Sequence, residues 1–414
     1  LNEVEELGFD FWFDQQLKAG EEDFALRAQL DRLEIHHLSP WDLRDWPMDR
    51  ILAQLQQAAL LRATYSPWQI RERMADFWTN HFNIYGRKGL GAYRKPLDER
   101  LVVRANVLGS FPAMVRASSK SAAMLVYLDQ QNSTAAQPNE NYARELLELH
   151  TLGVDGGYSQ KDVMEVARCF TGWSEERRFL RAKGDFLFRP ELHDDGQKVV
   201  LGQVIPAGGG VRDGERVVEI LTKHPATARH ISGKFCRFFA GDDWEKHLPV
   251  VIRAYEQSEG DIPTMVRSLK DSMASSPQSQ PILKRPFDYL ASSLRALNAE
   301  TDGGEGIQHH LRAMGQPLYE WPMPDGYPVG TEPWTGSLLA RWNFASALVR
   351  NEISGTQVDL EQLQKLFPDQ RPISMALNQP STQSQVQELD TLLSQLEMRD
   401  QVALSLASPE FQWR

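Results

Sequence analysis

Carboxylates crowd one short stretch of this chain. Glu140, Glu145, Glu148 and Asp155 stand within sixteen residues, with Asn141 and Arg144 among them. On a helical wheel at about 100° per residue, Glu140, Asn141, Arg144, Glu145 and Glu148 share one arc. Tyr142, Leu146 and Leu149 share the opposite arc, and His150 falls with them. Arg144 is four residues from both Glu140 and Glu148, a spacing that lets one guanidinium bridge two carboxylates. General acid–base chemistry needs one carboxyl kept protonated and another kept ionised. Glycoside cleavage needs such a pair flanking the scissile bond. Glu140, Glu145, Glu148 and Asp155 are therefore the candidate catalytic groups, with Arg144 holding a neighbour ionised. The same spacing also describes a solvated face laced with ion pairs. Asp155 equally fits a turn cap. His150, on the apolar arc, reads as a hydrogen-bonded core histidine rather than a ligand.

Other residues could assist such a centre. Asn80, His81 and Asn141 could orient substrate hydroxyls, and Arg341 is a polar member of a later helix. Trp173 and Trp334 could stack on a sugar ring, since an indole offers a flat apolar face with one polar edge. Trp321 and Trp334 lie in a loop rich in proline and glycine, where core packing explains them less well. His193 and Asp194 precede Asp195-Gly196, a run that suits either a metal or a turn with solvated carboxylates, and the turn is the simpler account. No metal and no cofactor is expected. Helical di-metal sites use paired Glu-x-x-His elements, and Glu145-x-x-Glu148 supplies no histidine. The sequence has no Gly-x-Ser-x-Gly and no phosphate loop ending in Lys-Ser or Lys-Thr.

The elements that must position these groups are mostly helical. Ser66-Pro67-Trp68-Gln69 reads as a helix start, with Ser66 as N-cap and Gln69 at the capping-box position. Ser159-Gln160-Lys161-Asp162 reads as a second capping box, opening a helix with the apolar stripe Val163, Val166, Ala167, Phe170. Residues 174–216 break the rhythm with charge, glycine and the β-like run Val199-Val200-Leu201. The expectation is a mainly α fold, a single large multi-helix domain over 1–352 with a small β ribbon or long loop inserted at about 174–216. Residues 353–414 are expected to be a linker and C-terminal helices packing on that core.

The totals set limits. The chain has 414 residues, 41% of them hydrophobic and 24% charged, enough for one large core or two smaller ones. A net charge of −11 leaves no cation surplus for phosphate backbones, so no nucleic acid partner is expected. No apolar run reaches the length of a membrane span. Cys169 and Cys236 are too few for a disulfide framework or a cysteine zinc site.

Several stretches resemble one family. They are Phe77 to Phe82, Asn139 to Gly153, and Gly157-Tyr158 through Thr171-Gly172-Trp173. Further blocks are His193-Asp194-x-Gly196-x-Lys198 with Leu201-Gly202, then Gly315 to Leu318, Asp325 to Pro328, Leu339 to Arg341, and Leu406 to Phe411. Together they resemble the bacterial family catalogued as domain of unknown function 1800, over nearly the whole chain. Tyr327 departs from it, standing where tryptophan is more usual. The family carries no established activity to transfer. The resemblance implies a helical protein made for export, periplasmic or extracellular. Its relatives are often encoded beside proteins of the sulfatase and alkaline-phosphatase fold, which implies a protein partner of that kind or a polymer or glycan ligand. The functional expectation is a hydrolase acting on an exported polymer such as a polysaccharide. The alternative is a noncatalytic binding or assembly protein of the envelope.

Overall fold

Among the described residues most buried hydrophobic side chains fall into two large cores, with a small third cluster of Leu283, Tyr327 and Trp334, and Ser66-Pro67-Trp68 is one place where the chain passes between the large ones. The computed structural model describes residues 2–18, 20–176, 184–276, 282–366 and 396–413. The Met48–Tyr65 helix buries Leu52, Leu55, Leu60 and Leu61 in one core, against Tyr289, Leu290, Phe344 and Leu348. The Gln69–His81 helix buries Met74, Phe77 and Trp78 in the other, against Phe111, Leu147, Phe235 and Phe238. Successive helices thus turn their apolar faces in different directions, which leaves a polar seam between them.

The Gln69–His81 helix begins later than its sequence suggests. Its N-cap is Trp68, whose side chain makes no capping bond. The Ser66 hydroxyl accepts from Trp68 N at 3.2 Å and donates to Glu22 at 2.9 Å, so it serves a turn and a tertiary contact. Gln69 does reach back, donating to the Ser66 carbonyl at 2.7 Å.

The fold is mainly α, as expected. Strands among the described residues form two-stranded antiparallel ladders. Trp173–Glu175 pairs with Phe186–Phe188, and Lys198–Val200 pairs with Gln203–Ile205, both inside the stretch read as a β insertion. Residues 177–183 of that stretch lie outside the described residues. A third ladder joins Glu300–Thr301 to Thr356–Gln357; strands of two residues carry no periodicity to read. Met398–Ala407 and Pro409–Gln412 bury Val402, Leu406 and Phe411 in the core of the Met48–Tyr65 helix. The expected linker before them falls largely on residues 367–395, outside the described residues.

Candidate functional site: a carboxylate notch on a π turn

The segment from Asn139 to Gly153 is one helix with a change of gauge. Asn139 caps it, its Oδ1 accepting from Tyr142 N at 3.1 Å while its Nδ2 donates to the Leu128 carbonyl at 2.8 Å. Regular α geometry runs over Glu140–Glu145 and gives way to a π turn over Leu146–Thr151. Leu152 N accordingly bonds to Leu147 O, five residues back, at 2.8 Å. A π turn inserts an extra residue per ring and rotates everything beyond it relative to an ideal wheel. The acidic face therefore splits.

Its outer part is solvated. Glu140 and Asn141 are exposed. Glu140 accepts from Gln160 Nε2 at 2.7 Å, and Gln160 Oε1 accepts from Arg144 at 2.8 Å. Arg144 reaches Glu148 at 3.5 Å, so the bridge to Glu140 runs through Gln160 rather than directly. Asp155 lies exposed on the following turn.

Its inner part is a notch. Glu145 and Glu148 are half-buried. Burial first, then the Glu148 charge, raises the Glu145 carboxyl above its ordinary value; Arg144 opposes this and Asp325 adds to it. Asp325 comes from the loop at 316–336 and also holds Trp321 Nε1 at 3.2 Å. Tyr127, whose hydroxyl donates to the Pro322 carbonyl at 2.9 Å, is raised by burial and then by Glu145 and Asp325. The Tyr158 phenol, lying against Glu148, is raised by burial and by that carboxylate. Lys234, on the Pro225–Ala240 helix, lies within electrostatic reach of Asp325 and of the His81, His150 and His230 rings. Burial lowers its ammonium to about 8, with Asp325 the opposing influence. Among the described residues Lys234 has no hydrogen-bonding or ion-pair partner.

The floor explains how the π turn is held. A helix end leaves carbonyls without partners. Here two imidazoles supply them: His81 Nε2 donates to His150 O at 3.2 Å, and His230 Nε2 donates to Leu149 O at 3.3 Å. A carbonyl can only accept, so each Nε2 carries the proton. Burial and the nearby Lys234 charge keep the rings neutral, lowering His150 to about 3, His230 to about 4 and His81 well below 6.5. Gly153 lets His230 approach. Its φ is +85°, and a Cβ there would lie 2.7 Å from His230 Nδ1.

The structure does not gather every residue singled out from sequence. Trp173 is 1% exposed, packed on Phe170 and Phe186, and offers no face to a ligand. Trp334 is 5% exposed and donates to the Pro328 carbonyl at 3.2 Å. Arg341 is buried, its guanidinium bonded to Ser337 Oγ at 2.9 Å, Gln412 Oε1 at 2.7 Å and Lys284 O at 2.7 Å. Asn80 binds protein backbone, described below. His193 is buried between Thr171 and Asp213, with Nδ1 2.8 Å from Thr171 O and Nε2 3.2 Å from the Asp213 carboxylate, which also pairs with Lys198. Asp194 is held below the usual carboxylate range by Arg168 at 2.7 Å and makes the expected turn contact to Gly196 N at 3.0 Å. The notch keeps Glu145 and Glu148, with Arg144 at its rim and His81 beneath. It adds Lys234, Asp325, Tyr127 and Tyr158, which the sequence reading passed over. Lys234 is one of several cations on its helix, between Arg229 and Arg237, and Asp325-Gly326 has the form of an ordinary turn, so neither sent a local signal.

Among the described residues no group of three His, Cys, Asp or Glu side chains is arranged to hold a metal ion. No helix is long and apolar enough to cross a membrane among the described residues. No curated protein and no solved structure matches the chain. A family model described as protein of unknown function (DUF1800) matches residues 1–413. Covering the central helix, the π turn and the loop that bears Asp325, that match makes this chain a member of the DUF1800 family.

Proposed function

We propose that the notch is a general acid–base centre that hydrolyses a polar polymer, with an exported polysaccharide as the substrate class. The observation that carries this is the Glu145 carboxyl, raised by burial and by its neighbour Glu148. Two carboxyl groups pushed apart in proton affinity are what acid-and-base cleavage requires. In this reading Glu145, whose proton is held more tightly by burial, gives it to the leaving oxygen as the C–O bond breaks. Glu148 is the ionised partner, steadied by Arg144 at 3.5 Å. It takes a proton from the attacking water, so that water is added across the bond. The polymer and its location outside the cytoplasm follow from the family resemblance.

The exposed ledge of Glu140, Asn141 and Gln160, continuous with the notch, favours a second reading. In it the same face docks a glycan or a partner protein without turnover. The test is release of reducing ends from a panel of bacterial capsular, matrix and cell-wall polysaccharides. Removing a positioned acid costs about 10²- to 10⁴-fold in rate. Glu145→Gln should lose at least about 10²-fold with unchanged folding. Cleavage that survives this change would sink the catalytic assignment. Binding without any release would move the assignment to the second reading.

A further inference from the structure

A second polar site lies in the seam between the two cores, away from the notch. A cavity of about 60 Å³ is enclosed by the Met48–Tyr65 and Gln69–His81 helices, a second π turn at Glu99–Arg104, and the loop around Tyr319. Such a volume holds a few waters or one compact ion. It shares Ala63, Glu72, Asp76 and Phe287 with a wider cleft of about 700 Å³, which supplies its mouth.

The charges in its walls are unequally served. Arg104 forks onto Glu72, with nitrogen–oxygen distances of 3.0 and 2.6 Å. Asp76 is taken by Arg285, with Arg73 at 3.5 Å. Glu99 accepts from the Thr79 hydroxyl at 3.2 Å and lies 3.6 Å from Lys95. Each wall carboxylate thus has a cation. Arg62 is less directly served: the Glu72 and Glu99 charges favour its guanidinium from a distance, but among the described residues it makes no hydrogen bond and no ion pair. Its side chain lines the cavity. Arg104 is a like charge beside it. Arg62 is partly buried, and an ionised guanidinium partly withdrawn from bulk water without a hydrogen-bond acceptor is costly. Tyr319, across the cavity, is fixed at φ +64° by a fold that pins its carbonyl to Gly86 N at 2.9 Å. Bulky residues rarely take that conformation.

We infer that this cavity binds a compact oxyanion, a carboxylate or phosphate group, through the guanidinium of Arg62. The group enters from the wide cleft past Ala63. Its remainder lies among the polar side chains there, which include Gln69, Ser292 and Asn298. Planar guanidinium donors match both oxyanions in bidentate fashion, a chemistry shared by free phosphate, a phosphoryl group and an acidic sugar.

The inference is independent of the notch. The experiment is thermal unfolding of the full chain titrated with sodium phosphate and, separately, sodium glucuronate, each against sodium chloride at matched ionic strength. At least one should raise Tm saturably, by about 2 °C or more. A response to phosphate alone identifies a phosphoryl-type ligand, and a response to glucuronate an acidic sugar; both support the site. Arg62→Gln should abolish the response and leave the anion-free Tm equal or higher, because a stranded charge has been removed. Ala63→Leu, narrowing the mouth with Arg62 intact, should also abolish it. The inference is overturned if neither anion acts, if Arg62→Gln responds as the parent does, or if Arg62→Gln lowers the anion-free Tm, which would make Arg62 structural.

Discussion

Asn80 and Tyr327 clasp each other through two reciprocal hydrogen bonds: Asn80 Nδ2 donates to Tyr327 O at 2.9 Å, and Tyr327 N donates to Asn80 Oδ1 at 2.7 Å. A side-chain amide here imitates a strand neighbour. Asn83, one turn on, donates to the carbonyls of Trp321 and Met323 at 3.0 and 2.7 Å. Gly326 makes the approach feasible, since a Cβ there would stand 2.2 Å from Asn80 O. The end of one helix thereby fixes a loop whose inner side carries Tyr319 and Tyr327 into the cavity and whose outer side carries Asp325 to the notch.

Asn80→Ala should therefore act on both sites at once. It leaves the Tyr327 amide and carbonyl without partners in a partly buried place. Orphaned groups of this kind cost about 1–3 kcal/mol each way. Urea unfolding should show a loss in that range. An unchanged midpoint would mean that the loop is held by Asn83 and the Tyr327 hydroxyl bond to Pro317 O, 2.5 Å, without help from Asn80.

Stability should fall with acid from about pH 6.5 downward, and the buried histidines should lead the fall. His36, His150, His230 and His81 all fold neutral, with their protonation lowered to about 3, 3 and 4 and, for His81, well below 6.5. Burial is the largest cause for each. Unfolded, they protonate near 6.5. Between those values the unfolded chain holds more protons than the folded one, so stability must rise with pH. The contribution is full above about pH 6.5 and is lost progressively as pH falls toward 4 and 3. At pH 5 a fully buried imidazole such as His150 would forfeit roughly 1–2 kcal/mol. Glu145 works weakly the other way, because its raised carboxyl favours the folded state on protonation. Urea midpoints measured from pH 7.5 to 5 should decline, and less steeply in His150→Gln. A flat profile over that window would contradict the neutral floor.

What the sequence disclosed was local, and what it concealed was tertiary. The Ser159 capping box is present as read, with Ser159 N donating to Asp162 Oδ2 at 2.8 Å and Asp162 N to Ser159 Oγ at 3.3 Å, because every atom in it lies within four residues. The wheel drawn from Glu140 holds to Glu145 and fails beyond, because one inserted residue in the π turn changes the period and no propensity marks it. Arg341 has the look of a surface cation on a helix, yet its acceptors are Lys284 O and Gln412 Oε1, distant in sequence. Arg62 and Lys234 are invisible for a related reason. Each matters through what surrounds it, and a cation in a helical pattern ordinarily reaches solvent.

Lys234 offers the most direct check on the notch itself. Its ammonium is lowered to about 8 by burial, with Asp325 holding it up in part. At pH 8 about half of its amines are neutral, against well under 1% for an ordinary lysine. Only the neutral amine is nucleophilic. Competitive labelling with acetic anhydride, followed by peptide mass spectrometry across pH 6.5–10.5, should give Lys234 an inflection near pH 8 while exposed lysines climb toward 10.5. The inflection is the readout, since steric hindrance alters the plateau and leaves the midpoint in place. Asp325→Asn removes the favourable charge and should move the inflection to lower pH. An inflection beside those of the surface lysines would mean that water reaches the amine freely, and the desolvation that also raises Glu145 would have lost its support.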